Sequence, residues 1–243
     1  MKLEGRVALI TGASRRIGRA IALRLASAGC SVAIHFHKSR ADAETVAAEC
    51  RRRNVGAELF PADLGDAQET ANLAEAVLER MHRLDVLINN ASIFEPMTVE
   101  GFDLNAWERC LRVNLTAPMI LAHTASTALR EARGRVINLC DISTWRPWPD
   151  HLAYVVSKGG LETLTKALAR ALAPEINVVG IAPGAVAWPE HYDQALRDRL
   201  ISKIPLQRAG TVEDVANAVN YLLQEGDYLT GVILPVDGGR SIV

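Results

Sequence analysis

The chain has 243 residues, 49% of them hydrophobic, and a formal net charge of -1 at pH 7. That is enough apolar material for one large α/β core and too little positive charge for a nucleic-acid or polybasic membrane-binding surface. The cysteines Cys30, Cys50, Cys110 and Cys140 are scattered singly, which excludes a CxxC redox pair, a Cys/His metal site and a disulfide scaffold.

The first apolar, β-branched run is VALIT (7–11), a strand too short to be the core of a signal peptide. TGASRRIG follows it and leads into a helical pattern over 17–29. A glycine turn between strand and helix is the setting in which free amides at a helix start hold a dinucleotide's pyrophosphate. Gly12 permits the tight turn and Gly18 lets the helix start close to the sheet, while Arg15 and Arg16 put charge into a turn that usually carries small side chains. SVAIHF (31–36) is the second strand, followed by a helix over 40–53. Where an NAD-selective site places an acid, the sequence reads HFHKSR. His35, His37, Lys38 and Ser39, with Arg15 nearby, offer donors and positive charge that suit the 2'-phosphate of NADPH. AELFPAD (57–63) is the third strand, and Asp63 at its end either accepts from the adenine amino group or caps the helix over 66–82.

DVLINN (85–90), RVINLC (135–140), INVVGIAP (176–183) and VILPVD (232–237) complete seven candidate strands, separated by helical patterns over 104–132, 151–173 and 211–225. Continuously apolar strands alternating with helices predict a Rossmann-type, doubly wound, parallel seven-stranded sheet in a single domain, residues 1–243. Thr211 and Asp214 stand at capping-box spacing at the start of the last helix. The irregular stretches 91–103, 141–151 and 184–210 each follow a strand end and are expected to line the site. In the last of these AVAWPEHYD covers the substrate with Trp188 as a wall, while Trp145 and Trp148 either border the pocket or anchor their loop. The uncharged run from Ile176 to Pro189 is interrupted by glycine and proline, so the expectation is a soluble, cytoplasmic, metal-free protein with small-molecule partners and no nucleic-acid or membrane contacts.

In HLAYVVSKGG, Tyr154 and Lys158 are four apart and share one helical face. The ammonium lowers the phenol's pKa and holds a nicotinamide ribose, leaving Tyr154 as proton donor or acceptor.

TGASRRIG, NNAS (89–92), Asn114 in LRVNL, YVVSK, IAPG (181–184) and VDGG (236–239) run in the order and spacing of the short-chain dehydrogenase/reductases, which the chain resembles over nearly its whole length. The resemblance implies nicotinamide-dependent hydride transfer, a catalytic set of Asn114, Tyr154 and Lys158, and a homotetramer. Two positions depart from the common pattern. Arg16 replaces the middle glycine of the turn, and Asp141 stands thirteen residues before Tyr154, where most members have a serine that orients the substrate carbonyl. The resemblance thus implies that Asp141 sits beside the phenol, where a carboxylate at roughly 4 Å disfavours the phenolate by up to about 4 kcal/mol at an effective dielectric near 20 and opposes the lysine. A carboxyl there suits a C=N bond or a ring N–H better than a ketone oxygen, which points to a nitrogen heterocycle. Both departures, with HFHKS and NNASIF, are similar to the pteridine reductases and dihydromonapterin reductases within that family.

By that resemblance the cofactor also touches Ser14, Ile17, Phe36, Leu64, Asn90, Ala91, Pro183, Gly184 and Val186. A pterin lies flat between the nicotinamide and Phe94, Ser92 and Arg16 hydrogen-bond the ring or the phosphates, and Asp141 and Tyr154 face the reducible C=N edge. Lys158 and Asn114 support a proton relay. The implied activity is NADPH-dependent reduction of a dihydropterin, such as dihydrobiopterin or dihydromonapterin, or of dihydrofolate. Two competing expectations are a ketone reductase of 3-oxoacyl thioesters or sugars, against which Asp141 argues, and an NADPH-sensing protein without turnover, against which the complete Asn114, Tyr154 and Lys158 set argues.

Overall fold

The computed structural model describes residues 1–186, 188 and 192–243. Its seven-stranded sheet has the order β3-β2-β1-β4-β5-β6-β7, with parallel pairing throughout. The strands are β1 (Val7–Ile10), β2 (Ser31–Phe36), β3 (Ala57–Pro61), β4 (Val86–Asn89), β5 (Arg135–Leu139), β6 (Asn177–Pro183) and β7 (Ile233–Val236). The single doubly wound sheet expected from the apolar runs is the one observed.

Alternate residues of the central strands feed two separate cores, because successive side chains point to opposite faces. Ala8, Ile10, Val32, Ile34, Val86 and Ile88 pack beneath α1 (Arg16–Ala26), α2 (Arg40–Arg51) and α9 (Val212–Gln224). Val7, Leu9, Ala33, Leu87, Val136 and Val178 face α3 (Ala67–Met81), α5 (Ala117–Thr124), α6 (Ser126–Ala132) and α7 (Leu152–Leu172). Both faces are therefore dry, and ligands meet the sheet at the carboxyl ends of its strands.

Two segments differ from the sequence expectation. The single helix expected over 104–132 is interrupted: α4 (Leu104–Leu111) passes into a π-helical turn, Arg112–Thr116, before α5 and α6. A π turn inserts one residue into the ladder and reorients the side chains on it. In this case it carries Asn114 inward, 1% exposed. The second difference is α8 (Gln194–Ile201), which lies within the stretch expected to be irregular and starts on an Asp193 cap that accepts from the Leu196 amide at 2.7 Å. The capping box of Thr211 and Asp214 forms as expected. Among the described residues no helix is long and apolar enough to cross a membrane.

Candidate active site

The turn after β1 is braced from β4. The Thr11 hydroxyl accepts from the amides of Asn90 and Ala91, both at 2.9 Å, and the Asn90 side-chain amide donates to the Thr11 and Gly12 carbonyls at 2.8 and 3.2 Å. A Cβ on Gly18 would collide with the Gly12 carbonyl oxygen, and Gly12 itself has φ +62°. Both glycines are thus required by close approach of backbone, as in a phosphate cradle.

Arg16 has φ +51°, in the left-handed region where a side chain costs about 1 kcal/mol that glycine does not pay. It lines the cavity and makes no ion pair with any described residue. Arg15 also lines the cavity, and its Nε reaches Asp42 Oδ2 of α2 at 2.5 Å.

His35 corrects the sequence expectation of a cationic donor to the 2'-phosphate. The Gly12 amide donates to His35 Nδ1 at 3.0 Å, which leaves Nε2 as the protonated nitrogen, 3.1 Å from the Ala62 carbonyl oxygen. Burial lowers its pKa to about 4, so the ring is neutral at physiological pH and acts as a prop beneath the turn. Phe36 is likewise buried, under the Arg40 guanidinium, and neither it nor Ser14, Lys38 or Ser39 lines the cavity. His37 does, 3.7 Å from an Asp63 carboxylate oxygen.

Asp63 is not the α3 cap; Asp66 is, accepting from the Glu69 amide at 2.9 Å. Asp63 instead pairs with Arg109 of α4 at 3.2 Å. Against the upward pull of partial burial, the Gly65 amide and that guanidinium hold its carboxyl below the usual range.

On the other side of the cavity, α7 presents Tyr154 and Lys158 beneath the loop that follows β5. The Tyr154 hydroxyl donates to Asp141 Oδ2 at 2.7 Å, while Asp141 Oδ1 accepts from the Ser143 amide at 2.7 Å. Burial, and then the Asp141 carboxylate, push the phenol well above its ordinary pKa. The expected lowering by lysine is outweighed. Lys158 Nζ lies 5.7 Å from the Tyr154 ring centroid and donates to the Leu139 carbonyl at 2.6 Å, with its own pKa lowered by desolvation.

Asn114 does not line the cavity. Its Oδ1 accepts from the Ile93 amide at 2.8 Å, and its Nδ2 donates to the Ile93 carbonyl and the Ser157 hydroxyl, both at 3.0 Å. It clamps the segment that presents Phe94.

Phe94 stacks on His151 with centroids 4.4 Å apart and planes 13° from parallel, and meets Tyr154 edge-on at 4.8 Å. His151 Nδ1 lies 2.9 Å from Asp150 Oδ1. Trp148 borders this cluster, 6.0 Å from Phe94 in a T-shaped arrangement, whereas Trp145 lies outside the cavity lining. The cavity, about 880 Å³, has the size of a small-molecule or cofactor site. Of the expected residues it gathers Gly12, Ile17, Gly18, Leu64, Asn90, Ala91 and Ser92 on the turn side. Pro183, Gly184, Val186 and Trp188 join them after β6. Much of AVAWPEHYD falls on 187 and 189–191, outside the described residues.

His151, Arg109, Tyr192, Arg146 and Arg240 also line the cavity, and sequence reasoning did not single them out. Only their places on the loops after strand ends could have marked His151, Arg146 and Tyr192; Arg109 and Arg240 are brought in by tertiary packing.

A glycine cradle at the end of β1, with a buried Tyr154–Lys158 pair facing it across the strand ends, defines a nicotinamide-dependent oxidoreductase of Rossmann architecture. The family described as enoyl-(acyl carrier protein) reductase matches residues 12–241, and the chain belongs to the short-chain dehydrogenase/reductase family. It is 34% identical over 237 residues to a 3-oxoacyl-[acyl-carrier-protein] reductase, FabG, of Staphylococcus aureus, covering 96% of each chain. Among solved structures it is similar to FolM alternative dihydrofolate reductase 1 from Brucella canis complexed with NADP, at 34% identity and a TM-score of 0.93, covering 100% of this chain and 96% of that one. A blue fluorescent protein from a metagenomic library in complex with NADPH matches at 29% identity and a TM-score of 0.92, covering 99% of both chains.

Proposed function

We propose that the protein is an NADPH-dependent pteridine reductase, acting on a dihydropterin or dihydrofolate. The observation that carries this reading is the 2.7 Å hydrogen bond from Tyr154 to Asp141. It replaces the serine expected for carbonyl substrates by a carboxylate that keeps the phenol protonated. The similarity to a FolM dihydrofolate reductase in complex with NADP supports both ring and cofactor.

The residues present fit the cofactor. The glycine turn, whose backbone at Gly18 closes so tightly on the Gly12 carbonyl that no side chain fits, takes the pyrophosphate. Arg15 and His37 line the end where the adenosine ribose enters, and suit a 2'-phosphate. Lys158 suits the nicotinamide ribose. Bound NADPH supplies a hydride to a ring carbon.

The chain's own residues do the rest. Phe94 takes the ring face on the side opposite His151. Asp141 accepts from a ring N–H and orients the C=N edge toward the phenol. Tyr154 donates its proton to the ring nitrogen, so the C=N bond becomes CH–NH, and the phenolate then regains a proton from water. Arg16, held in a conformation that favours glycine, spans the phosphate turn and the substrate ring.

The relation to 3-oxoacyl-[acyl-carrier-protein] reductases favours a second reading, reduction of a 3-oxoacyl thioester. NADPH oxidation measured in parallel with dihydrobiopterin, dihydromonapterin, dihydrofolate and an acetoacetyl thioester separates the two. Turnover of the thioester alone would overturn the pteridine reading, and tight NADPH binding with no turnover of any substrate would favour the sensor.

A further inference from the structure

We propose that a basic cavity adjoining the reaction site binds an anionic tail of the substrate through Arg146, Lys203 and Arg240. The inference rests on the pteridine reading only for the identity of that tail, which is then the carboxylates of a dihydrofolate-like substrate.

The adjoining cavity has a volume of about 510 Å³ and shares Arg146, Ile204 and Arg240 with the main one. Ser202, Lys203 and Gln207 complete its polar side-chain lining, and among the described residues no Asp or Glu side chain faces it. Arg146 and Lys203 make no ion pair or hydrogen bond with any described residue. Arg240 is already partly engaged: its Nη1 donates to the main-chain oxygen of Val243 at 3.1 Å.

The other cations of the main cavity are mostly engaged. Arg15 meets Asp42, Arg109 meets Asp63, and Lys158 donates to the Leu139 carbonyl. Arg16 remains, on the phosphate turn. Cations without a partner among the described residues therefore stand at two places: Arg16 on the nucleotide cradle, and Arg146 and Lys203 on the far wall, where the loop after β5 and the segment after α8 converge beside Arg240.

Distance links the far wall to the reacting ring. Asp141 and Arg146 belong to the same loop, five residues apart. Even a fully extended chain of that length spans at most ~17 Å, and the 3-10 turn Ile142–Thr144 shortens it. A ring held at Asp141 reaches Arg146 through a tail of moderate length, and the group that meets two guanidinium forks and an ammonium is a carboxylate or a phosphate.

The test compares dihydrofolate, whose tail bears carboxylates, with dihydrobiopterin, whose side chain is uncharged, in the wild type and in the Arg146→Ala/Lys203→Ala double variant. The ratio of the KM for dihydrofolate to that for dihydrobiopterin is expected to rise about tenfold. In the wild type, added salt is expected to raise the dihydrofolate KM selectively, a readout that depends on no variant's folding. Equal movement of both KM values, or no salt dependence of the dihydrofolate KM, overturns the subsite.

Failure of the pteridine reading looks different: neither pterin turns over while acetoacetyl-coenzyme A does. The same comparison is then made on that thioester, whose anion is phosphate. A raised KM in the double variant keeps the anionic subsite, and an unchanged one overturns it.

Discussion

The Tyr154 hydroxyl donates to Asp141 Oδ2 at 2.7 Å, and the opposite oxygen of the same carboxylate accepts from the Ser143 amide at 2.7 Å. The two-sided hold fixes which partner gives a proton. A carboxylate anchored by a backbone amide accepts, and a phenol raised by burial and by that carboxylate stays a donor across the physiological range.

Tyr154→Phe is therefore expected to lower kcat by 10²- to 10⁴-fold, while NADPH still binds, as read by quenching or enhancement of its fluorescence. Turnover within a few-fold of wild type would remove Tyr154 as the acid.

Asp141→Asn keeps shape and hydrogen-bonding capacity but removes the charge. Because the carboxylate raises the phenol's pKa, its loss moves that pKa down. Activity that needs the protonated phenol then fails at lower pH, so the basic limb of the kcat/KM profile shifts toward neutrality. An unshifted limb would show that Asp141 does not govern the proton donor.

His35 gives a stability prediction with a defined sign. Its pKa falls from 6.5 to about 4 through burial, so the unfolded chain takes up the proton first as the pH drops. The stability it contributes is complete above pH 6.5 and is lost between there and about pH 4, amounting to about 3 kcal/mol. Denaturant midpoints of the wild type should fall over that window, and the fall should flatten in His35→Gln. Parallel pH dependences in the two proteins would refute the assignment.

Arg16→Gly separates stability from binding. Relief of the left-handed conformation at φ +51° should raise stability by about 1 kcal/mol, a rise of a few degrees in Tm by calorimetry. The KM for pterins should increase at the same time. A variant with unchanged pterin kinetics would leave Arg16 without a part in substrate binding.

The central strands were legible because they are short, nearly continuous apolar runs buried on both sides, and their alternation with amphipathic helices left little freedom in topology; the edge strands β3 and β7, only partly buried, were legible from their β-branched and apolar residues and their place in that alternation. Tyr154 and Lys158 were legible because four residues on one helix share a face, whereas Asp141 was legible only through the resemblance that places it at the serine position of related enzymes. The π turn at 112–116 was not, since a ladder defect has no composition of its own; the apolar pattern runs straight through Arg112–Thr116. Helix α8 escaped because it is short and buries no residue: its Leu196 and Leu200 face the cavity and not a packed core. His35 was misread because a histidine at a strand end looks like a donor until the Gly12 amide and the Ala62 carbonyl are seen to claim both nitrogens. Arg109 reaches Asp63 from a distant helix, a contact that only tertiary packing creates.

The brace from Asn90 to the Thr11 and Gly12 carbonyls has a consequence for synthesis of the protein. β1 lies between β2 and β4, with Ala8 opposite Val86, so the first βαβ unit emerges from the ribosome with one flank of its nucleotide turn open. Such non-local parallel pairing closes late. A nascent chain stopped before β4 should bind no nucleotide, and ligand cannot chaperone the amino-terminal half until Asn90 has been released to lock the turn from behind.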